Sequence, residues 1–154
     1  MELGDLIRPE AVIPALKAKT KKQALQELSE KAAKLTGVSA RDILETLLQR
    51  ERLGSTAVGR GIAIPHGRLP ELKGIFSMFA RLEQPIEFEA VDEEPVDLIF
   101  LLLAPEHAGA DHLKALARIS RLLREPHTSE RLRASRDAGA LHTILTQPAA
   151  VHAA

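Results

Sequence analysis

The chain predicts an α/β fold, a sheet covered by helices on both sides, and three observations carry that expectation. Two stretches with apolar residues at helical spacing precede the first clearly apolar strands. Residues 96–103 (Val-Asp-Leu-Ile-Phe-Leu-Leu-Leu) are almost continuously apolar, as a central strand buried on both faces must be. Helical patterning then returns from about Asp111 onward. A chain of 154 residues is one domain by size, and 45% hydrophobic residues can build its core. Leu, Ile, Val and Ala supply that core, because there are four Phe and no Trp or Tyr.

Taken in order, residues 11–18 (Ala-Val-Ile-Pro-Ala-Leu-Lys-Ala) predict a short first strand, which Pro14 confines to an edge or a bulge. Thr20 is the expected N-cap of a helix to about Leu35, whose inner stripe is Leu25, Leu28, Ala32 and Leu35. Gly37 stops it. Ser39 followed by Asp42 resembles a capping box and opens a second helix to about Arg52. Its inner stripe, Ile43 and Leu47, extends to Arg50, an unusual place for a cation unless it snorkels to solvent. Gly54–Gly61 reads as a flexible loop, Ile62–Ile64 as a short buried strand ended by Pro65, and Gly67 as a sharp turn. Residues 75–82 predict another strand. The stretch from Glu83 through Asp97 holds seven acidic residues and no basic one, which reads as a solvated loop. Helices follow at about 111–124, 128–135 and 138–147. Residues 1–148 are expected to form one domain and 149–154 a frayed tail.

Composition removes several classes of function. The 21 basic and 21 acidic residues balance, so the basic excess of a general nucleic-acid or membrane-surface binder is missing. Without Trp or Tyr there are few platforms for base stacking. The absence of cysteine excludes disulfides, cysteine–zinc sites and thiol nucleophiles. No apolar run approaches the roughly 18 residues of a membrane span, and Met1–Asp5 has no basic leader segment. A cytoplasmic protein without membrane insertion is the expectation.

The chemistry concentrates at Gly59-Arg60-Gly61-Ile62-Ala63-Ile64-Pro65-His66-Gly67-Arg68. His66 is held by stiff backbone, with Arg60 and Arg68 close in sequence. Such an imidazole can take a proton, a metal or a phosphoryl group. The glycine loop misses the phosphate-loop pattern, because Arg60 and Gly61 replace its Lys and Ser/Thr and it runs from helix into strand. A metal site lacks paired histidines at helical spacing; His107 and His112 are separated by a glycine-containing turn. A serine hydrolase lacks both the nucleophile elbow around Ser55 and an acid to orient the base. His112 falls in the first turn of its helix and shares an inward stripe with Leu116, Ile119 and Leu123. Free N–H groups there suit a phosphate, although a capping or half-buried structural histidine has the same pattern. His127, His142 and His152 read as surface or tail residues. Phosphoryl transfer unites the rest. A neutral imidazole is a competent nucleophile, and such transfer needs positioning and charge stabilisation that inward Arg50 and His112 can supply.

Arg50-Glu51-Arg52-Leu53-Gly54-Ser55-Thr56, followed by Gly59–Gly67, resembles the signature of enzyme IIA domains of the fructose/mannitol class in the bacterial phosphoenolpyruvate:sugar phosphotransferase system. Pro85–Phe88, Pro95–Leu98 and Asp111–Leu113 fit the same pattern. The resemblance covers nearly the whole chain, and its wording is most similar to the nitrogen-regulatory branch. It implies a three-layer α/β/α sandwich with a mixed sheet, and a tele-phosphohistidine intermediate at His66, although the residues themselves do not choose between the ring nitrogens. It further implies phosphate stabilisation by His112 and Arg50, with Ser55 at a loop position of the same site, and no metal or organic cofactor. The implied donor is an HPr-like phosphocarrier, and the implied readers of the phosphorylation state are regulatory targets such as kinases or potassium transporters. Two alternatives stay open: a sugar-specific enzyme IIA feeding a fructose or mannitol IIB domain, and a binding module whose histidine is never phosphorylated.

Overall fold

The computed structural model describes residues 3–147. The expected tail at 149–154, and His152 within it, lie outside the described residues. Six strands form one mixed sheet: β1 (Ile7–Leu16), β2 (Ala57–Gly59), β3 (Ile62–Ala63), β4 (His66–Leu69), β5 (Phe76–Ile86) and β6 (Val96–Pro105). Its order is β1-β5-β6-β3-β2, with β4 also paired to β6. Strand β5 pairs antiparallel with β6 and parallel with β1, whereas β3 and β4 run parallel to β6. Eight of the ten residues of β6, Leu98–Pro105, have no exposed position among them, as its continuous apolar run requires.

Helices α1 (Lys21–Thr36) and α2 (Ala40–Arg52) pack on each other. Helices α3 (Ala110–Arg124), α4 (Pro126–Ala134) and α5 (Ala138–Thr146) form a second group. Adjacent residues on a strand face opposite ways. Gly67 meets Thr46 of α2 while His66 meets His112 of α3, so the two groups lie on opposite faces of the sheet. The caps are those the sequence signals. Thr20 accepts from the Gln23 N–H, Ser39 accepts from the Asp42 N–H, and Gly37 takes the left-handed conformation with φ of 80°.

Several segments differ from expectation. Strand β1 begins at Ile7, not 11; Arg8-Pro9-Glu10 is an exposed, irregular stretch between the paired residues Ile7 and Val12, and its polarity hides the strand. It is an edge strand, as Pro14 requires. The Gly54–Gly61 loop contains β2, which forms a tight hairpin with β3. Gly67 is not a turn: it lies inside β4, and a Cβ there would come within 2.5 Å of Thr46 Cγ2. The glycine is required by the close approach of α2. Ile64 and Pro65 leave the strand pattern, but the Pro65 carbonyl still accepts from Leu102 N–H at 3.0 Å, so the chain returns to β6 at once. The acidic stretch is a loop only in part, since Glu83–Ile86 completes β5, with Glu83–Pro85 still exposed, and Val96 opens β6. His142 is not a surface residue; half-buried, its Nε2 meets the Ile7 carbonyl at 3.1 Å.

Candidate functional site

His66 is the first residue of β4, aligned with Leu102 of β6. Its Nδ1 lies 2.8 Å from the Ile64 carbonyl oxygen. A carbonyl only accepts, so Nδ1 is assigned the proton and Nε2 the lone pair. Nε2 faces Arg50, whose Nε–H donates to it at 3.3 Å. The same guanidinium donates through Nη1 to the Gly54 carbonyl at 3.1 Å. Arg50 therefore does not snorkel away. It bridges the site and the loop that follows α2. Burial, opposed by the Ile64 hydrogen bond and reinforced by Arg50, holds the His66 imidazole below its ordinary pKa.

His112 enters from α3 on the same face. The two rings lie 5.7 Å apart between centroids, tilted by 53°. His112 is only 5% exposed, and its Nδ1 has no hydrogen-bond partner. Burial first, then the proximity of His66 and Arg68, lowers its pKa too. Arg68 donates to the carbonyls of Glu106 and Gly109, at 3.3 and 3.4 Å, and so ties β4 to the chain entering α3. The site thus gathers two neutral imidazoles, a guanidinium on His66 and a second beside His112. That set can accept a phosphoryl group on nitrogen and neutralise its charge.

The sequence-predicted residues separate into two groups. His66, His112 and Arg50 converge. Ser55 belongs to the adjoining loop, where its hydroxyl donates to the Phe88 carbonyl at 2.7 Å and accepts from Ala57 N–H. Arg60 is held in the β2–β3 hairpin, its N–H donating to Asp92 and its carbonyl accepting from Arg133, whereas Arg50 touches His66 and Arg68 lies near His112. Sequence reasoning assigned no role to Glu51, Thr56 and Lys21, which pack beside the site; the misplaced helix-end charges of Lys21 and Glu51 were the available signal. Among the described residues, no group of three His, Cys, Asp or Glu side chains is arranged to hold a metal.

Comparison with known proteins finds relatives over nearly the whole chain. Residues 5–147 match the family described as "Phosphoenolpyruvate-dependent sugar phosphotransferase system, EIIA 2". The nitrogen regulatory protein of Bradyrhizobium diazoefficiens is 63% identical over 99% of this chain and 100% of its own. That of Escherichia coli is 38% identical, covering 95% of this chain and 90% of its own. The crystal structure of the nitrogen regulatory protein IIA-Ntr from Neisseria meningitidis superposes with a TM-score of 0.89 at 33% identity, over 94% of this chain and 99% of that one. The chain therefore belongs, alongside proteins named nitrogen regulatory protein, to the EIIA 2 family of the phosphoenolpyruvate-dependent phosphotransferase system.

Proposed function

We propose that the protein accepts a phosphoryl group on Nε2 of His66 from an HPr-like phosphocarrier, and that its phosphorylation state is a regulatory signal. One observation carries the reading: Nδ1 is committed to the Ile64 carbonyl, so Nε2 is the nitrogen with a free pair, and it faces a guanidinium. The Nε2 pair attacks phosphorus in line. The donor's N–P bond breaks, and its electron pair returns to the donor imidazole. A new N–P bond forms on His66, whose Nδ1 keeps its proton against the carbonyl. Arg50 moves its N–H from Nε2 to a phosphoryl oxygen, and His112 offers a second donor. Ser55 contributes by holding the loop that carries the Gly54 carbonyl, Arg50's other acceptor. No cofactor takes part in this transfer. Leu53, 83% exposed, and Leu113, 62% exposed, adjoin Gly54 and His112 in sequence and give the carrier apolar surface to meet.

The regulatory role is favoured over sugar transport because the 63%-identical relative is a nitrogen regulatory protein spanning the same length. The readers are regulatory proteins such as kinases or potassium transporters, and the compartment is the cytoplasm. Incubation with phosphoenolpyruvate, enzyme I and the carrier tests the chemistry by intact mass. The expected outcome is a gain of one acid-labile phosphoryl group by the wild type and none by His66→Ala. Equal labelling of His66→Ala overturns it. Rapid onward transfer to a fructose or mannitol IIB cysteine overturns the regulatory assignment in favour of sugar transport.

A further inference from the structure

Two charges sit at the wrong ends of their helices. Lys21 opens α1 and Glu51 lies in the last turn of α2, each opposed by its own helix dipole. The Glu51 side chain is only 5% exposed, where an unpaired carboxylate is costly. Packing alone gives no reason for either. They pair with each other, Lys21 Nζ lying 2.9 Å from Glu51 Oε1. Lys21 also reaches Glu89 at 3.3 Å and covers the Phe88 ring at 4.9 Å.

The remaining contacts of Glu51 lead toward the site. Its Oε1 accepts from Thr56 N–H at 3.1 Å, and its Oε2 accepts from the Thr56 hydroxyl. The Thr56 carbonyl accepts from Ile64 N–H at 3.0 Å. The Ile64 carbonyl, in turn, accepts from His66 Nδ1. One unbroken path thus runs to the His66 ring: an ion pair from Lys21 to Glu51, then hydrogen bonds through Thr56 and Ile64. The neighbouring Arg50 grips the same loop from its other end, through the Gly54 carbonyl. Adjacent residues 50 and 51 clamp residues 54–56 between them, one touching His66 directly and the other through the backbone.

We propose that Glu51 is a positioning residue of the phosphoryl-transfer site, acting through Thr56 and Ile64 to fix the His66 ring with Nε2 toward the incoming phosphorus. The proposal deepens the acceptor reading of His66 and rests on it. Its physical basis is geometric. In-line transfer is sensitive to displacement of the attacking atom, and an error of about 1 Å can cost on the order of a hundredfold in rate. The Ile64 carbonyl selects which nitrogen is nucleophilic, and Glu51 holds Thr56, whose own carbonyl holds the Ile64 N–H.

The test uses the full chain as wild type, Glu51→Gln, Thr56→Val and Thr56→Ser. Single-turnover acceptance from the carrier is measured beside nitrogen-15 NMR of the unphosphorylated His66 ring. Acceptance by Glu51→Gln and Thr56→Val should fall by about ten- to a hundredfold, while Thr56→Ser, which keeps the hydroxyl, stays near wild type. The ring spectrum should move from a single Nδ1–H form in wild type to a mixture of tautomers in the two slow variants. Should Glu51→Gln not fold, Thr56→Val against Thr56→Ser decides. Folded variants with wild-type rates and wild-type ring shifts overturn the proposal. If wild type itself accepts no phosphoryl group, the acceptor reading fails separately, and the ring spectra alone judge the positioning role.

Discussion

The two nitrogens of His66 meet unlike partners, and that difference fixes how the site responds to acid. Burial and Arg50 both disfavour the imidazolium, so the ring stays neutral below the ordinary imidazole pKa of 6.5. The decline in acceptance as pH falls should therefore set in at lower pH than an ordinary imidazole would give, as a quench-flow series across pH will show. Arg50→Gln removes a charge that lowers this pKa and a donor to the developing phosphoryl charge. Its decline should begin at higher pH, and its rate at neutral pH should drop by about a hundredfold. These residues were legible because each is odd where it stands: an arginine on an apolar stripe, a histidine on another, a histidine after Ile-Ala-Ile-Pro. For Glu51 the one signal was a charge at the wrong helix end, which does not by itself point to the site. Its partner Lys21 belongs to a different helix, and only folding brings the two charges together.

Among the elements, β4 and α2 approach closely beside the site, at Gly67 and Thr46. A methyl added at Gly67 would drive into Thr46 Cγ2, on the helix that carries Arg50 and beside His66 on its own strand. Gly67→Ala should lose about 1–3 kcal/mol in denaturant unfolding. In a Thr46→Ser background the same change should cost much less, because the obstructing methyl is gone. Thr20→Ala, by contrast, should cost about 1 kcal/mol through its lost cap, and leave acceptance unchanged. Helix boundaries were readable from local signals such as Thr20, Gly37 and Ser39. Strand β4 was not, since His-Gly-Arg-Leu carries no strand pattern; its pairing with β6 makes it a strand. Strands β2 and β3, at three and two residues, are too short to show any period.

For the molecule as a whole, the two site histidines are an acid liability. Burial lowers both pKa values on folding, so beneath 6.5 the unfolded chain binds more protons than the folded one. Stability contributed by keeping them neutral is complete above that pH and is lost as pH falls through the folded values. A denaturation series should show the midpoint falling through this window, and less so for a His66→Gln, His112→Gln double variant. The α/β class and the central place of 96–103 were readable because a strand buried on both faces needs an unbroken apolar run. Strand order was not, because nothing local states that β5 lies between β1 and β6.

The brief departure at Ile64-Pro65, with Leu102 N–H still bound to the Pro65 carbonyl, gives the site two different lifetimes. On one side, His66 is in register with Leu102 of β6, a strand buried along nearly its whole length, and the Leu102 amide should exchange with deuterium only when the sheet opens. On the other, residues 53–56 hang on the last turn of α2, through the Leu53 and Gly54 N–H groups and the Arg50 and Glu51 side chains, so the loop amides should exchange through small local openings. Charging His66 with a phosphoryl group should leave the Leu102 clock almost untouched and reset that of the loop. A partner that distinguishes the two states would then be reading the fast half of the site against a slow and unchanging frame.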